Sequence, residues 1–223
     1  MNYQFQFESV FAAWPLLLKG TWITVQLSLT ATVLGLVVAI ACAWGKTSGP
    51  AWLRFVVNAY IELIRNTPFI VQLFFFFFAL PSIGLRWSPY TAALTAMVVN
   101  LGAYAAEIVR AGIESIPKGQ IEAGRALNLK PWEIFRFVVL KPALKAIYPA
   151  LTSQFILLML SSAVVSVISA DDVTSVAANL QSQTFRSFEI YIVVAAIYLL
   201  LAVSFSGLFK LIYQRTLNYP DRR

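Results

Sequence analysis

The residues of this chain that could do chemistry are few, and most lie inside apolar sequence. Glu62, Arg65 and Asn66 share one apolar block, with Gln72 a little further on. Asn100, Tyr104 and Glu107 follow in the next block at i, i+4 and i+7, and Ala111 continues the series at i+11. On a helix these fall on one stripe. Gln154, Ser161 and Ser162 are the polar positions of a later block. Ionisable and amide groups are costly in lipid and face a bundle interior or a water-filled cavity. The set is therefore a candidate translocation path or gate. Serine also packs between membrane helices as a matter of routine, so a packing role for Ser161 and Ser162 stays open.

Other chemistries are excluded. The chain has no histidine, so imidazole catalysis is absent, and its single cysteine, Cys42, forms neither a disulfide nor a metal-binding thiolate cluster. Gly45-Lys46-Thr47 resembles the end of a phosphate-binding loop. That loop needs a glycine five residues before Gly45, and Ile40 stands there. No metal, cofactor or nucleotide is expected on this chain, and it is not expected to be an enzyme.

The elements that hold these residues follow from composition. Of 223 residues 59% are hydrophobic and 12% are charged. A soluble domain carries roughly 25% charged residues. Apolar blocks at about 21–44, 53–81, 89–113, 149–170 and 189–212 are each long enough to cross a bilayer as a helix. They do not alternate as barrel strands would. The expected fold is an all-α membrane protein with five transmembrane helices, one domain over 1–223 and no internal repeat. Pro68 interrupts the second block; a simple kink is favoured over a break that opens a cavity.

The net charge is +7. Fourteen lysines and arginines fall on one side of the predicted spans and three, Lys19, Arg86 and Arg186, on the other. Positive loops stay in the cytoplasm. The amino terminus is therefore expected outside and the carboxyl terminus inside, with the charge on a membrane rim and not a nucleic-acid surface. Residues 1–19 lack the pattern of a cleaved signal peptide, and Tyr3, Phe5, Phe7, Phe11 and Trp14 suit a short interfacial helix or strap. In opposed spans Arg65 and Glu107 sit at similar depth, and they are expected to pair within the chain or across a dimer. Such a pair would lock the bundle, gate it or touch substrate. Asp171-Asp172 would end the fourth span at the outer face, in a solvated loop or against a partner or cationic solute.

Residues 114–135 differ from everything around them. Glu114, Glu122 and Glu133 alternate with lysines and arginines, and Pro117 and Pro131 mark two helix starts. A short helix over 118–129 is too polar to span a membrane and has the shape of a docking element. Glu122-Ala123-Gly124-Arg125-Ala126-Leu127-Asn128-Leu129, with Val138-Val139-Leu140-Lys141-Pro142 after it, resembles the EAA loop of membrane subunits of bacterial ABC importers. Glu62-Leu63-Ile64-Arg65-Asn66-Thr67-Pro68, the run 100–113, Leu18-Lys19-Gly20-Thr21 and the run 184–191 resemble the polar amino acid uptake branch of that family. The likeness covers about residues 15–215.

The resemblance implies a permease subunit of an ATP-driven importer for a polar amino acid. It implies two cytoplasmic ATPase subunits that bind the ATP, a second permease subunit and an extracytoplasmic binding protein. Coupling contacts carry over to Glu122, Ala123, Gly124, Arg125 and Asn128. The chain departs from the family pattern at Gly124, at Asn128 (where Asn tolerates the left-handed conformation that ends a helix) and at Lys141-Pro142. Leu160-Ser161-Ser162-Ala163 stands where Lys-Asp-Thr-Ser is usual. Losing that charged pair leans towards a paralogous heterodimer over a homodimer. The rival reading is a stand-alone secondary transporter of small polar solutes, which would need its own coupling-ion site. An intramembrane enzyme finds no paired acids or base to run on.

Overall fold

The computed structural model describes residues 3–217; Arg222 and Arg223, counted above on the basic side, lie outside the described residues. A short α1 (Glu8–Ala12) turns at Ala13 into α2 (Trp14–Ser48). There follow α3 (Ala51–Arg65), α4 (Phe69–Ser82), α5 (Pro89–Glu114) and α6 (Lys118–Ala126). The chain continues through α7 (Pro131–Ile168), α8 (Val173–Thr184) and α9 (Ser187–Thr216). Two of these helices change winding: α4 is π-helical over Phe75–Ala79, and α7 is π-helical over Phe135–Val139 and tightens to a 3-10 helix over Ser162–Ile168.

Helices α2, α5, α7 and α9 are each long and apolar enough to cross a membrane. The expected second span is not one helix: α3 and α4 make a crossing only as a pair bent by 109°. Proline explains the position of the break. It lacks an N–H, and it drives the preceding residue out of helical geometry. Asn66, Thr67 and Pro68 therefore separate the two helices, and the bend is far larger than a kink.

Helices α2 and α5 form the centre. Small residues let their backbones approach closely, as membrane helices require when lipid offers no hydrophobic drive. Leu27, Ala31 and Ala39 on α2 are buried in one cluster with Ala92, Ala93, Ala96, Ala103 and Ala106 on α5. The fully buried residues of α9 lie at its start, Glu189, Ile190, Val194 and Ile197, and further along it meets α7 through Phe205 and Phe209. Leu199, Leu200 and Val203 are among its exposed apolar side chains, a surface suited to lipid.

The stretch after the fourth block is not a solvated loop. Asp172 is fully buried and caps α8, its carboxylate accepting from the N–H groups of Thr174 (3.1 Å) and Ser175 (3.0 Å). Burial pushes its carboxyl above the usual carboxylate range, and the cap hydrogen bonds pull it back only in part. Thr24 Oγ1 accepts from the Val173 N–H at 3.2 Å, and Thr174 and Tyr198 share a hydrogen bond of 2.9 Å, so α8 is fastened between α2 and α9. Asp171 alone of the pair stays exposed.

The amino-terminal aromatics form a strap. Tyr3 donates to Glu189 Oε2 at 2.6 Å and the Gln6 N–H donates to Glu189 Oε1 at 3.0 Å. Glu189, 0% exposed, is the buried anchor for residues lying at the far end of the sequence.

Candidate functional site

The break between α3 and α4 frees backbone groups, and side chains satisfy them. Gln72 Nε2 donates to the carbonyls of Ile64 (2.8 Å) and Thr67 (3.1 Å). Gln72 Oε1 accepts from Asn100 Nδ2 at 3.0 Å, tying the break to α5. Asn66 Nδ2 donates to the Glu62 carbonyl at 2.8 Å. Unsatisfied groups at such a depth cost several kcal/mol each, so this local network is what makes the bend tenable.

The bend opens a cleft between α3, α5 and α7. One compartment of about 520 Å³ is lined by Arg65, Asn66, Asn100, Tyr104, Gln154 and Ser161, among others. A neighbouring one of about 630 Å³ shares Arg65, Tyr104 and Gln154 and adds Glu107, Arg110 and Ile147. Glu62 borders a smaller recess with Arg65, Asn66 and Tyr104. The α5 stripe read from the spacing thus faces one groove, with Asn100, Tyr104, Glu107 and Ala111 all in its lining. Two predicted members do not. Gln72 is buried at the break, and Ser162 is 0% exposed with its hydroxyl donating to the Met159 carbonyl at 2.7 Å.

The expected Arg65–Glu107 pair does not form within the chain. Glu107 binds Lys46 Nζ at 2.6 Å and Arg110 at 2.9 Å, and Arg110 also pairs with Glu114. The Arg65 guanidinium lies over the Tyr104 ring, 5.4 Å from its centroid, a cation–π contact. The sequence reading missed Lys46. The first apolar block ends at 44 and leaves Lys46 beyond it, yet α2 stays helical through Ser48 and brings the Lys46 ammonium to Glu107 on α5. Close approach of α5 and α7 at the wall of the larger compartment rests on Gly112, where a Cβ would meet Ile147 Cγ2 at 2.0 Å.

The second candidate region is α6. It is shorter than the expected 118–129, and Asn128 is where the chain turns, with φ 58°. The Leu129 N–H reaches the Gly124 carbonyl (3.1 Å) and the Asn128 N–H the Arg125 carbonyl (2.9 Å). These are the paired bonds of a Schellman stop. At the next start, the Glu133 side chain accepts from the Lys130 N–H at 2.7 Å. A small separate core of Ile116, Ile134, Val139 and Ala143, with Ile121 and Leu129 against it, seats α6. Gly124 is buried there, its missing Cβ leaving room for Ile134 Cγ1 at 3.2 Å. Of the five residues carried over for coupling, Gly124 therefore packs inward, while Glu122, Ala123, Arg125 and Asn128 are exposed. Leu127, 75% exposed at the helix end, stands beside them and was not singled out from sequence. Its signal was a large apolar residue in a polar segment.

Comparison with known proteins bears on both regions. The family model for the binding-protein-dependent transport system inner membrane component matches residues 31–218. The glutamine transport system permease protein GlnP of Escherichia coli (strain K12) is 36% identical over 214 residues, covering 95% of this chain and 98% of the relative. The octopine transport system permease protein OccM of Rhizobium meliloti is 33% identical over 216 residues, covering 93% and 87%. The crystal structure of an amino acid ABC transporter with histidines aligns with a TM-score of 0.89 and 38% identity over 96% of this chain and 100% of that one. An inward facing conformation of the MetNI methionine ABC transporter, at 23% identity and a TM-score of 0.74 over 90% and 95%, shares the fold. The likeness runs through the bent second span, the cleft and α6 alike, and the chain belongs to the family of binding-protein-dependent transport system inner membrane components.

Proposed function

We propose that this chain is the permease subunit of an ATP-driven importer and carries a polar amino acid through the α3–α5–α7 cleft by alternating access. The observation that carries the reading is the placement of α6. A short helix presents Glu122, Ala123, Arg125, Leu127 and Asn128 outwards on its own small core. The same core continues into α7, one wall of the cleft, and α5, the other wall, enters α6 directly. A soluble partner pushing on α6 would move both walls together. That partner is a pair of cytoplasmic ATPases, which bind the ATP; this chain binds none.

The basic residues support an orientation with the amino terminus outside and the carboxyl terminus in the cytoplasm of a bacterial inner membrane. An extracytoplasmic binding protein would deliver solute to the opposite end, where Asp171 is exposed. A second permease subunit, a copy or a paralogue, would complete the path. The names of the relatives, glutamine and octopine permeases, support an amino acid as cargo. The cleft suits a polar amino acid: it offers a guanidinium at Arg65 for the carboxylate, and amides at Asn66, Asn100 and Gln154. Nothing favours the stand-alone secondary transporter.

The test is uptake of labelled amino acids by proteoliposomes holding the complete complex. Uptake is expected only with internal ATP and with all subunits present. Uptake that persists without the ATPase subunits would overturn the proposal.

A further inference from the structure

We infer that a groove between α7 and α9, outside the path described above, binds the headgroup of an anionic phospholipid. The groove measures about 290 Å³ and is lined by Tyr148, Ser153, Ser206, Phe209, Lys210 and Tyr213, among others. Its depth in the bilayer follows from α9. Between Glu189 and Lys210 that helix carries no charge, and at 1.5 Å per residue the two are about 31 Å apart. A hydrocarbon core is about 30 Å thick. Lys210 therefore lies at headgroup level when Glu189 lies at the opposite face.

The walls are held in place. Tyr148 donates to the Phe209 carbonyl at 2.9 Å, and the Tyr148 and Tyr213 rings stand 5.6 Å apart. Paired tyrosines at this level form an interfacial belt. Deeper in, Phe155 packs on Phe205 (4.9 Å) and Phe209 (5.2 Å), an apolar floor for an acyl chain. Lys210 is exposed at the mouth, with Ser206 one turn deeper on the same helix and Ser153 facing it from α7. One ammonium beside hydroxyls fits a phosphate with its surplus acceptor oxygens. The Lys210 ammonium repels a choline headgroup and selects an anionic lipid.

The test uses the assembled complex, purified from vesicles with equal phosphatidylglycerol and phosphatidylcholine. Retained lipids are counted by native mass spectrometry. About fivefold enrichment of phosphatidylglycerol is expected from one lysine near the surface. Lys210→Gln should abolish it, while Lys210→Arg should keep it and show that the variant chain is folded. Arg215→Gln, outside the groove, should also keep it. Equal retention of the two lipids, no loss in Lys210→Gln, or equal loss in Arg215→Gln would overturn the inference. A Ser206→Cys variant in a Cys42→Ser background separates other occupants. Phosphatidylglycerol should slow its maleimide labelling. The same slowing by inorganic phosphate in phosphatidylcholine vesicles would assign the groove to a free anion. A disulfide-linked pair of chains would assign it to a second copy. Either result refutes the lipid.

Discussion

The ion pair between Lys46 and Glu107 can be dissected by a double-mutant cycle, because its two partners are not equally replaceable. In Lys46→Met, Glu107 keeps Arg110. In Glu107→Gln, Arg110 keeps Glu114 but the Lys46 ammonium faces only a neutral amide. Glu107→Gln should therefore cost more than Lys46→Met. A hydrogen bond to a charged group contributes about 1.5–3 kcal/mol when shielded from water, and an exposed ion pair about 0–1 kcal/mol. The Lys46 and Glu107 side chains are 25% and 20% exposed. Their coupling should lie between those limits, at about 1–2 kcal/mol. Arg65 and Glu107 share no partner in the structure, so their coupling should stay within about 0.5 kcal/mol, the usual additivity error. The charge swap Lys46→Glu with Glu107→Lys should recover only part of the loss, because the Arg110 guanidinium then faces an ammonium in place of its carboxylate. The assay is unfolding of the detergent-solubilised complex, with uptake measured in parallel. A larger coupling for Arg65 with Glu107 than for Lys46 with Glu107 would refute the assignment.

Four further outcomes are expected. Gly112→Ala should lower unfolding stability by about 1–3 kcal/mol through overpacking, and adding Ile147→Leu, which removes Cγ2, should recover part of it. Gln72→Leu should orphan the Thr67 carbonyl and leave the Ile64 carbonyl only its longer bonds from Thr67, costing about 1–3 kcal/mol, while Asn100→Ala, which leaves the Gln72 bonds to both carbonyls intact, should cost less. Arg125→Glu and Leu127→Ala should uncouple ATP hydrolysis from uptake without shifting the unfolding midpoint, because both side chains are exposed; a matching loss of stability would count against a docking role. Asp172→Ala should lose the α8 cap, costing about 0.5–2 kcal/mol. The raised carboxyl of Asp172 means that, from the ordinary carboxylate range up through its folded-state value, the folded state holds the extra proton. Rising pH therefore costs stability across that window. Asp172→Asn should be at least as stable as the parent at neutral pH, with its advantage disappearing in acid.

The apolar blocks and the stripe on α5 were legible because they depend only on hydrophobicity and a 3.6-residue period. The size of the bend at Pro68 was not. Proline announces a break, but its angle is held by Gln72 meeting Asn100 on another helix. The different partner of Glu107 within the chain has the same origin. Equal depth for Arg65 assumed a straight second span, and Lys46 was discounted because a helix continuing past Gly45 leaves no mark in composition. Helix α8 was hidden by its mixture of Ser, Thr, Asn and Gln with apolar residues, although Asp172 before it is a good cap. In α6, Asn128 betrayed the turn through its tolerance of positive φ, whereas the inward face of Gly124 depends on Ile134.

The strap on Glu189 bears on how the protein is made. Tyr3 and Gln6 leave the ribosome 186 and 183 residues before the carboxylate that receives them, which belongs to α9. Through most of synthesis that segment has nowhere to dock. Its closure onto Glu189 therefore follows the synthesis of α9, to which it fastens the strap. A ribosome stalled before Glu189 would leave Tyr3 and Gln6 without their anchor. Protection of the strap from protease thus becomes a clock for completed insertion.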